Sequence, residues 1–234
     1  HDDVKTVAGD GLSHYRNEAE LKDGRVSYRA GPKKSLNEKI VRPVSDPFAA
    51  TGGLVQLAGN LGRGVMKASA VAPERHIVEA PAKVFHTQDA VKAAFKAGEL
   101  AQDTIIVVRF QGPRSNGMPE LHGLTPTLSI MQDRGLKVAL VTDGRMSGAS
   151  GKVPSAIHVS PEAADGGPLA KIQDGDIIRL DATSGTIDVV GVDLDTRDLA
   201  VADLTGNGNG VGRELFEVFR QNVGRASEGA GVVV

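Results

Sequence analysis

The sequence contains no cysteine. That absence excludes disulfides, a thiolate nucleophile, and any zinc ion or iron–sulfur cluster held by thiolates of this chain. Tryptophan is missing too, and aromatic residues make up only 3%, so Val, Ile, Leu and Ala must build the core. Acidic and basic residues nearly balance, 29 against 27, for a net charge of -2. A chain so balanced offers no basic field for nucleic acid and no acidic tail. No apolar run approaches the ~18 residues of a membrane span, and no signal peptide is visible.

Glycine, by contrast, is abundant: 29 of 234 residues, against a usual share of ~7%. Such an excess suits many turns and close backbone approaches. The length accommodates one large domain or two small ones with a substantial core. Residues 1–40 are polar and broken by Gly and Pro. They predict a short strand near Val4–Val7, a helical turn and extended chain, an arm or linker lying on another surface. The main domain is expected over 41–234.

From Gly52 the texture changes. "GGLVQLAGNL" and "GVMKASAV" read as strands of a hairpin separated by "GRG". "AKVFH" is a strand candidate, and Ala90, Val91, Ala94, Phe95 and Leu100 follow at helical spacing, with Thr87 as cap and Gly98 as stop. "DTIIVVRF" and "LKVALVT" are continuous β-branched or aliphatic runs, hence strands buried on both faces. "LHGLTPTLSIMQDRG" predicts a helix between them, ending at Gly135. Further on, "SAIHVS", "IIRLDA" and "TIDVVG" are strands, "GGPLAKIQDGD" a short helix with a turn, and "VGRELFEVFRQNVG" a late amphipathic helix with Leu215, Phe216 and Phe219 on one side. Many short strands with few helices predict a β-rich α/β domain, a barrel or closed sheet with flanking helices.

Two loops follow the buried strands: "QGPRSNGMPELHG" and "TDGRMSGASGKVPS". Loops past the ends of neighbouring strands are where α/β proteins build sites. A loop that only turns has no use for Arg, Asp, Glu, Lys and Ser together. Several simpler motifs fail. A phosphate loop needs glycine where Met146 stands and Ser or Thr where Val153 stands. A nucleophile elbow lacks its upstream glycine before Ser147, although a triad of Ser147, a histidine such as His158 and a distant acid stays open. The acids Asp193, Asp195 and Asp198 lack the glycine and glutamate of a calcium loop. No His-x-x-x-His spacing marks a zinc site; His158 in its apolar run reads as a core residue, and His122 in its Gly- and Pro-rich loop as a candidate functional residue.

Longer stretches carry a resemblance. "RFQGPRSNGMPELH", "LVTDGRMSGASGKVPSAIHVSPEA", "GGLVQLAGNLGRGVMKASAV" and "IQDGDIIRLDATSGTIDV" resemble the dihydroxy-acid dehydratase and phosphogluconate dehydratase family, and more its phosphogluconate branch. The resemblance runs from the first residues to about Glu217. It implies a C-terminal barrel-like domain with flanking helices, similar to the swivelling domain of aconitase, from a cytoplasmic, homodimeric hydro-lyase acting on a sugar-acid phosphate. It also implies an iron–sulfur cluster bound by cysteines of a larger N-terminal domain, and magnesium. By position, Glu120 matches the family's magnesium ligand and Ser147 its base; Arg145, Lys152, Arg114 and His122 become candidate substrate-binding residues. Some sugar-acid members carry Thr where this chain has Ala149, with Ser150 next, which leaves any auxiliary hydroxyl unassigned. The competing readings are another dihydroxy-acid or sugar-acid dehydratase and a non-catalytic small-molecule-binding module.

Without thiolates, the purified chain is expected to stay colourless and iron-free after anaerobic incubation with iron and sulfide. Stoichiometric iron and sulfide in the desalted protein would contradict this.

Overall fold

In the computed structural model, which describes residues 3–147 and 152–232, the chain divides into two compact units, 1–51 and 52–234. The first has one buried position among its described residues, Gly11. It holds a minimal ladder of Lys5–Thr6 (β1) with Gly9–Asp10 (β2), a helical turn at Ser13–Arg16, and a hairpin of Asn17–Lys22 (β3) with Arg25–Ala30 (β4). The hairpin corrects the expectation of merely extended chain. Its cause is Asp23-Gly24, both at positive φ (50° and 74°), the backbone that a tight two-residue hairpin turn requires.

The second unit opens with a hairpin, Leu54–Gly59 (β5) and Gly62–Lys67 (β6). The turn lies at Asn60-Leu61, and the "GRG" expected to form it lies inside β6. Asn60 sets the turn: its side chain donates to the Val189 carbonyl (2.8 Å) and accepts from the Val189 amide (2.8 Å). Gly62 has φ +104°, and a Cβ there would collide with the Ser160 carbonyl.

Next come Ile77–Phe85 (β7), helix Gln88–Lys96 (α1), Thr104–Val108 (β8), a helical turn Pro113–Asn116 (α2), helix Thr125–Asp133 (α3) and Val138–Thr142 (β9). Ser155–Ser160 (β10), Ile177–Asp181 (β11), Thr186–Val189 (β12) and the short helix Glu217–Asn222 (α4) complete the unit. Thr87 caps α1 as expected, accepting from the Ala90 amide at 3.1 Å. The expected helix after Gly167 is only a 3-10 turn, Pro168–Lys171. The late helix begins as a second such turn, Arg213–Phe216, with Leu215, Phe216 and Phe219 all exposed.

Eight strands close into a barrel in the order β10-β6-β5-β12-β11-β7-β8-β9. Strands β7, β8, β9 and β10 run parallel, while β11 pairs antiparallel to both β7 and β12. This closed, β-rich sheet with flanking helices is the fold class expected from the sequence. Strands β8 and β9 are buried at every position because each serves two cores. Ile105, Val107, Ala139 and Val141 join the core that includes Leu57, Met66 and Leu180. Their neighbours Ile106, Val108, Val138 and Leu140 join a second core with Val91 of α1 and Leu128 and Met131 of α3. Alternating side chains point to opposite faces of a strand, so two covered faces read as one unbroken apolar run.

Leu140→Ala should cost about 2–5 kcal/mol in urea unfolding, since it empties a site with no solvent access. Ile130→Ala, on the exposed side of α3, should cost well under half of that.

Candidate active site

Parallel β8 and β9 deliver their carboxyl ends to the same edge, so the segments that begin at Arg109 and Asp143 leave side by side. Asp143, the residue after β9, is fully buried. Its Oδ1 accepts from the Gln111 amide (2.9 Å), and Oδ2 accepts from the amides of Phe110 (3.1 Å) and Ala163 (2.9 Å). Burial pushes the Asp143 carboxyl up, against the pull of these donors. Glu162 works alongside: Oε1 accepts from the amides of Arg114 (2.9 Å) and Ser115 (3.1 Å). Its carboxyl is pushed up to about 7, first by burial and then by the neighbouring Asp143 charge. Gly112 runs so close that a Cβ there would collide with the Glu162 carboxylate.

Arg109 is also buried, its Nη1 donating to the carbonyls of Leu169, Ala170 and Ile172 (3.0, 3.1 and 3.0 Å). Its Nε sits 3.2 Å from His86 Nε2, and burial pushes the guanidinium down from its usual range. Motif and pattern single out neither Arg109 nor Glu162, and mark Asp143 only as a loop residue. For Arg109 and Asp143 the available signal was a charged residue directly at the end of a nearly all-apolar strand, where a buried hydrogen-bonding role makes it tolerable; Glu162, two residues past β10, carried no such signal.

Above these buried groups the two loops meet. Leu121 and Met146 sink into the outer core, which pins the residues beside them. Glu120 and Arg145 form a one-residue parallel bridge, with the Leu121 amide donating to the Arg145 carbonyl (3.0 Å). Arg145 Nη1 donates to Glu120 Oε2 (2.9 Å) and its Nε to the Met118 carbonyl (2.7 Å). The Ser147 amide donates to Glu120 Oε1 (2.7 Å). Two candidates, 25 and 27 residues along the chain, thus converge on the carboxylate of a third, Glu120. His158 lies next to them, its amide donating to the Gly144 carbonyl (2.9 Å). Burial and then the Arg145 charge push its imidazole below the usual range.

The other candidates are placed differently. His122 is exposed and starts the short helical turn after Glu120. Arg114 donates to Asp165 (2.8 Å) and Lys152 to Asp133 (2.5 Å), so both cations are engaged by acids outside the Glu120 cluster. Gly148, Ala149, Ser150 and Gly151 lie outside the described residues. Among the described residues, no group of three or more His, Cys, Asp or Glu could hold a metal ion. A cavity of about 380 Å³ borders the site through Met118, with Asn116, Arg213, Phe216 and Arg220 in its wall.

A family model described as dihydroxy-acid/6-phosphogluconate dehydratase C-terminal matches residues 39–230. A phosphogluconate dehydratase of Pseudomonas aeruginosa is 59% identical over 231 residues, 98% of this chain and 38% of that protein. The phosphogluconate dehydratase of Escherichia coli K12 is 52% identical over 98% of this chain and 38% of its own length. A dihydroxy-acid dehydratase of Agathobacter rectalis is 43% identical over 73% of the chain and 30% of that protein. The chain therefore spans well under half the length of these curated relatives.

The raised Glu162 carboxyl has a sign that can be measured. A carboxylate held up to about 7 penalises the fold when ionised, so its cost is absent below the unfolded value and complete above pH 7. Glu162→Gln removes that ionisation. The difference in melting temperature, variant minus wild type, should therefore be more positive at pH 8 than at pH 5. A difference that is flat, or that falls with pH, would show that Glu162 titrates as an ordinary carboxylate.

Proposed function

Because the chain belongs to the dihydroxy-acid/6-phosphogluconate dehydratase C-terminal family, we propose that it is the C-terminal part of a cytoplasmic phosphogluconate dehydratase. This hydro-lyase turns 6-phosphogluconate into 2-keto-3-deoxy-6-phosphogluconate in the Entner–Doudoroff pathway. The observation that carries this reading is the convergence of Arg145 and the Ser147 amide on the two oxygens of Glu120. It is supported by relatives of that name at 52–59% identity.

Dehydration of a 2,3-dihydroxy acid removes the C2 proton while the C3 hydroxyl departs. In this reading Ser147 Oγ takes the proton. A serine hydroxyl is too weak an acid to act so unless positive charge stands nearby, and Arg145, two residues upstream, supplies one such charge. Glu120 fits one magnesium ligand: it is a hard oxygen donor and half-exposed, and it would exchange Arg145 or the Ser147 amide on one oxygen for the ion. The other ligand oxygens would come from substrate, water and the rest of the polypeptide. When bound, the ion absorbs negative charge that develops on the substrate carboxylate. With no cysteine, this chain offers no thiolate to an iron–sulfur cluster, so the cluster's thiolate ligands are assigned to the protein's own N-terminal domain and no step is routed through it. Arg114, Lys152 and His122 are assigned to substrate anions. For the two cations this means exchanging Asp165 and Asp133 for phosphate or carboxylate, an exchange that the planar fork of an arginine suits well. Residues 1–40 form the arm onto the N-terminal domain, and the full-length enzyme is a homodimer. The Agathobacter rectalis relative supports a second reading, a different dihydroxy acid as substrate. Complementation of gluconate growth against branched-chain auxotrophy separates the two.

In the full-length enzyme, Ser147→Ala should lower kcat by ~10²–10⁴ with KM nearly unchanged. Glu120→Gln should raise the magnesium concentration needed for half-maximal rate while the protein stays folded by circular dichroism. Near wild-type turnover in the first variant would remove Ser147 as the base, and an unaltered magnesium dependence in the second would remove Glu120 as a ligand.

A further inference from the structure

The site rests on a buried acid that takes no part in the proton transfer or the magnesium ligation. Asp143 touches three loops at once. Its own chain continues through Gly144 to Arg145 and Ser147, its oxygens hold the Phe110 and Gln111 amides, and Oδ2 also holds the Ala163 amide beyond β10. Gln111 extends the grip: its Nε2 donates to the His86 carbonyl (2.6 Å) and its Oε1 accepts from Asn116 Nδ2 (3.0 Å). There is no slack between the loops, since a Cβ on Gly144 would stand 2.7 Å from Gln111 Cβ. Higher up, the loops also meet through the Leu121 amide on the Arg145 carbonyl and the Ser147 amide on Glu120, and through the Arg145–Glu120 ion pair, which is 49% and 33% exposed. Ion pairs at that exposure contribute little, and cannot by themselves hold two loops in register.

We propose that Asp143 is a positioning residue, the buried clamp that fixes the spacing of the Glu120 loop against the Ser147 loop. It acts only through those residues, and its catalytic consequence rests on the assignment of Glu120 as magnesium ligand and Ser147 as base. The chemistry of the clamp makes it sensitive to a single atom. Asparagine has nearly the same shape, but one of its positions is an N–H donor. Whichever way the amide turns, a donor then faces either the Gln111 amide or the amides of Phe110 and Ala163.

The test compares wild type and Asp143→Asn in the full-length protein by amide hydrogen exchange and steady-state kinetics. Peptides covering 118–122 and 144–147 should exchange at least ~10-fold faster in the variant, while those covering 104–108 and 138–142 keep wild-type protection. Turnover per folded molecule, the folded fraction taken from circular dichroism, should fall ~10²-fold with KM within about threefold. Ala163→Pro is the second variant. It removes one of the three donors at a position whose preceding residue, Glu162 (φ -68°, ψ 159°), already has the backbone that proline demands. It should shift the same peptides in the same direction, with a loss of ~3–10-fold in kcat. Unchanged exchange at 118–122 and 144–147 would overturn the proposal, and so would loosening of the whole barrel along with them. If the wild-type enzyme turns over no sugar-acid phosphate, the functional reading fails while the exchange data still decide the clamp.

Discussion

A carboxylate with no access to water must find its hydrogen bonds inside the protein, and Asp143 finds them in amides of two other loops. Leaving such a group unpaired costs several kcal/mol. The penalty works as a constraint: the loops after β8, β9 and β10 cannot separate without exposing an unsatisfied charge. Glu162 repeats the arrangement one loop over, collecting the Arg114 and Ser115 amides. Four amides of the loop that leads to Glu120 are therefore held by two acids from the opposite side. Gly112 and Gly144 are the points where that closeness leaves no room for a side chain.

The same architecture sorts the charges near the site. Arg109 serves the fold, since three carbonyls take its Nη1 and little of it reaches solvent. Arg145 keeps its charge at the surface of the site, against Glu120. The two arginines depress the histidines beside them: burial first and Arg109 second lower His86, burial first and Arg145 second lower His158. Both imidazoles are thus biased toward the neutral form.

The first unit shows the opposite regime. In its hairpin, Ala19, Leu21, Val26 and Tyr28 share one face, and Leu21, Val26 and Tyr28 are exposed. The other face carries Glu18, Glu20 and Arg29 in mutual ion pairs. A two-stranded ribbon is marginal by itself in water, so its register depends on the Asp23-Gly24 turn and those cross-strand pairs.

Local pattern was enough to determine the buried strands, the cap of α1 and the closed, β-rich character of the fold. Thr104–Val108 and Val138–Thr142 are apolar at nearly every position, and Thr87 precedes a helical repeat. That the two loops meet was also expected, because Arg, Glu and Ser stand beside glycines just after such strands; what those side chains hold together is Glu120 with Arg145 and the Ser147 amide. The "GRG" turn was misplaced because a glycine needed for close approach to β10 looks, in one dimension, like a glycine needed to turn. Only the tertiary structure decided the rest. Whether Arg114 and Lys152 reach a ligand depends on Asp165 and Asp133, 51 residues after and 19 before them. That Asp143 and Glu162 are buried depends on the packing of loops 109–118 and 163–167, which no short window contains. Burial, and with it the effect of a charge, is a property of the neighbours, and the neighbours are set by strand order in the closed barrel rather than by adjacency in the chain.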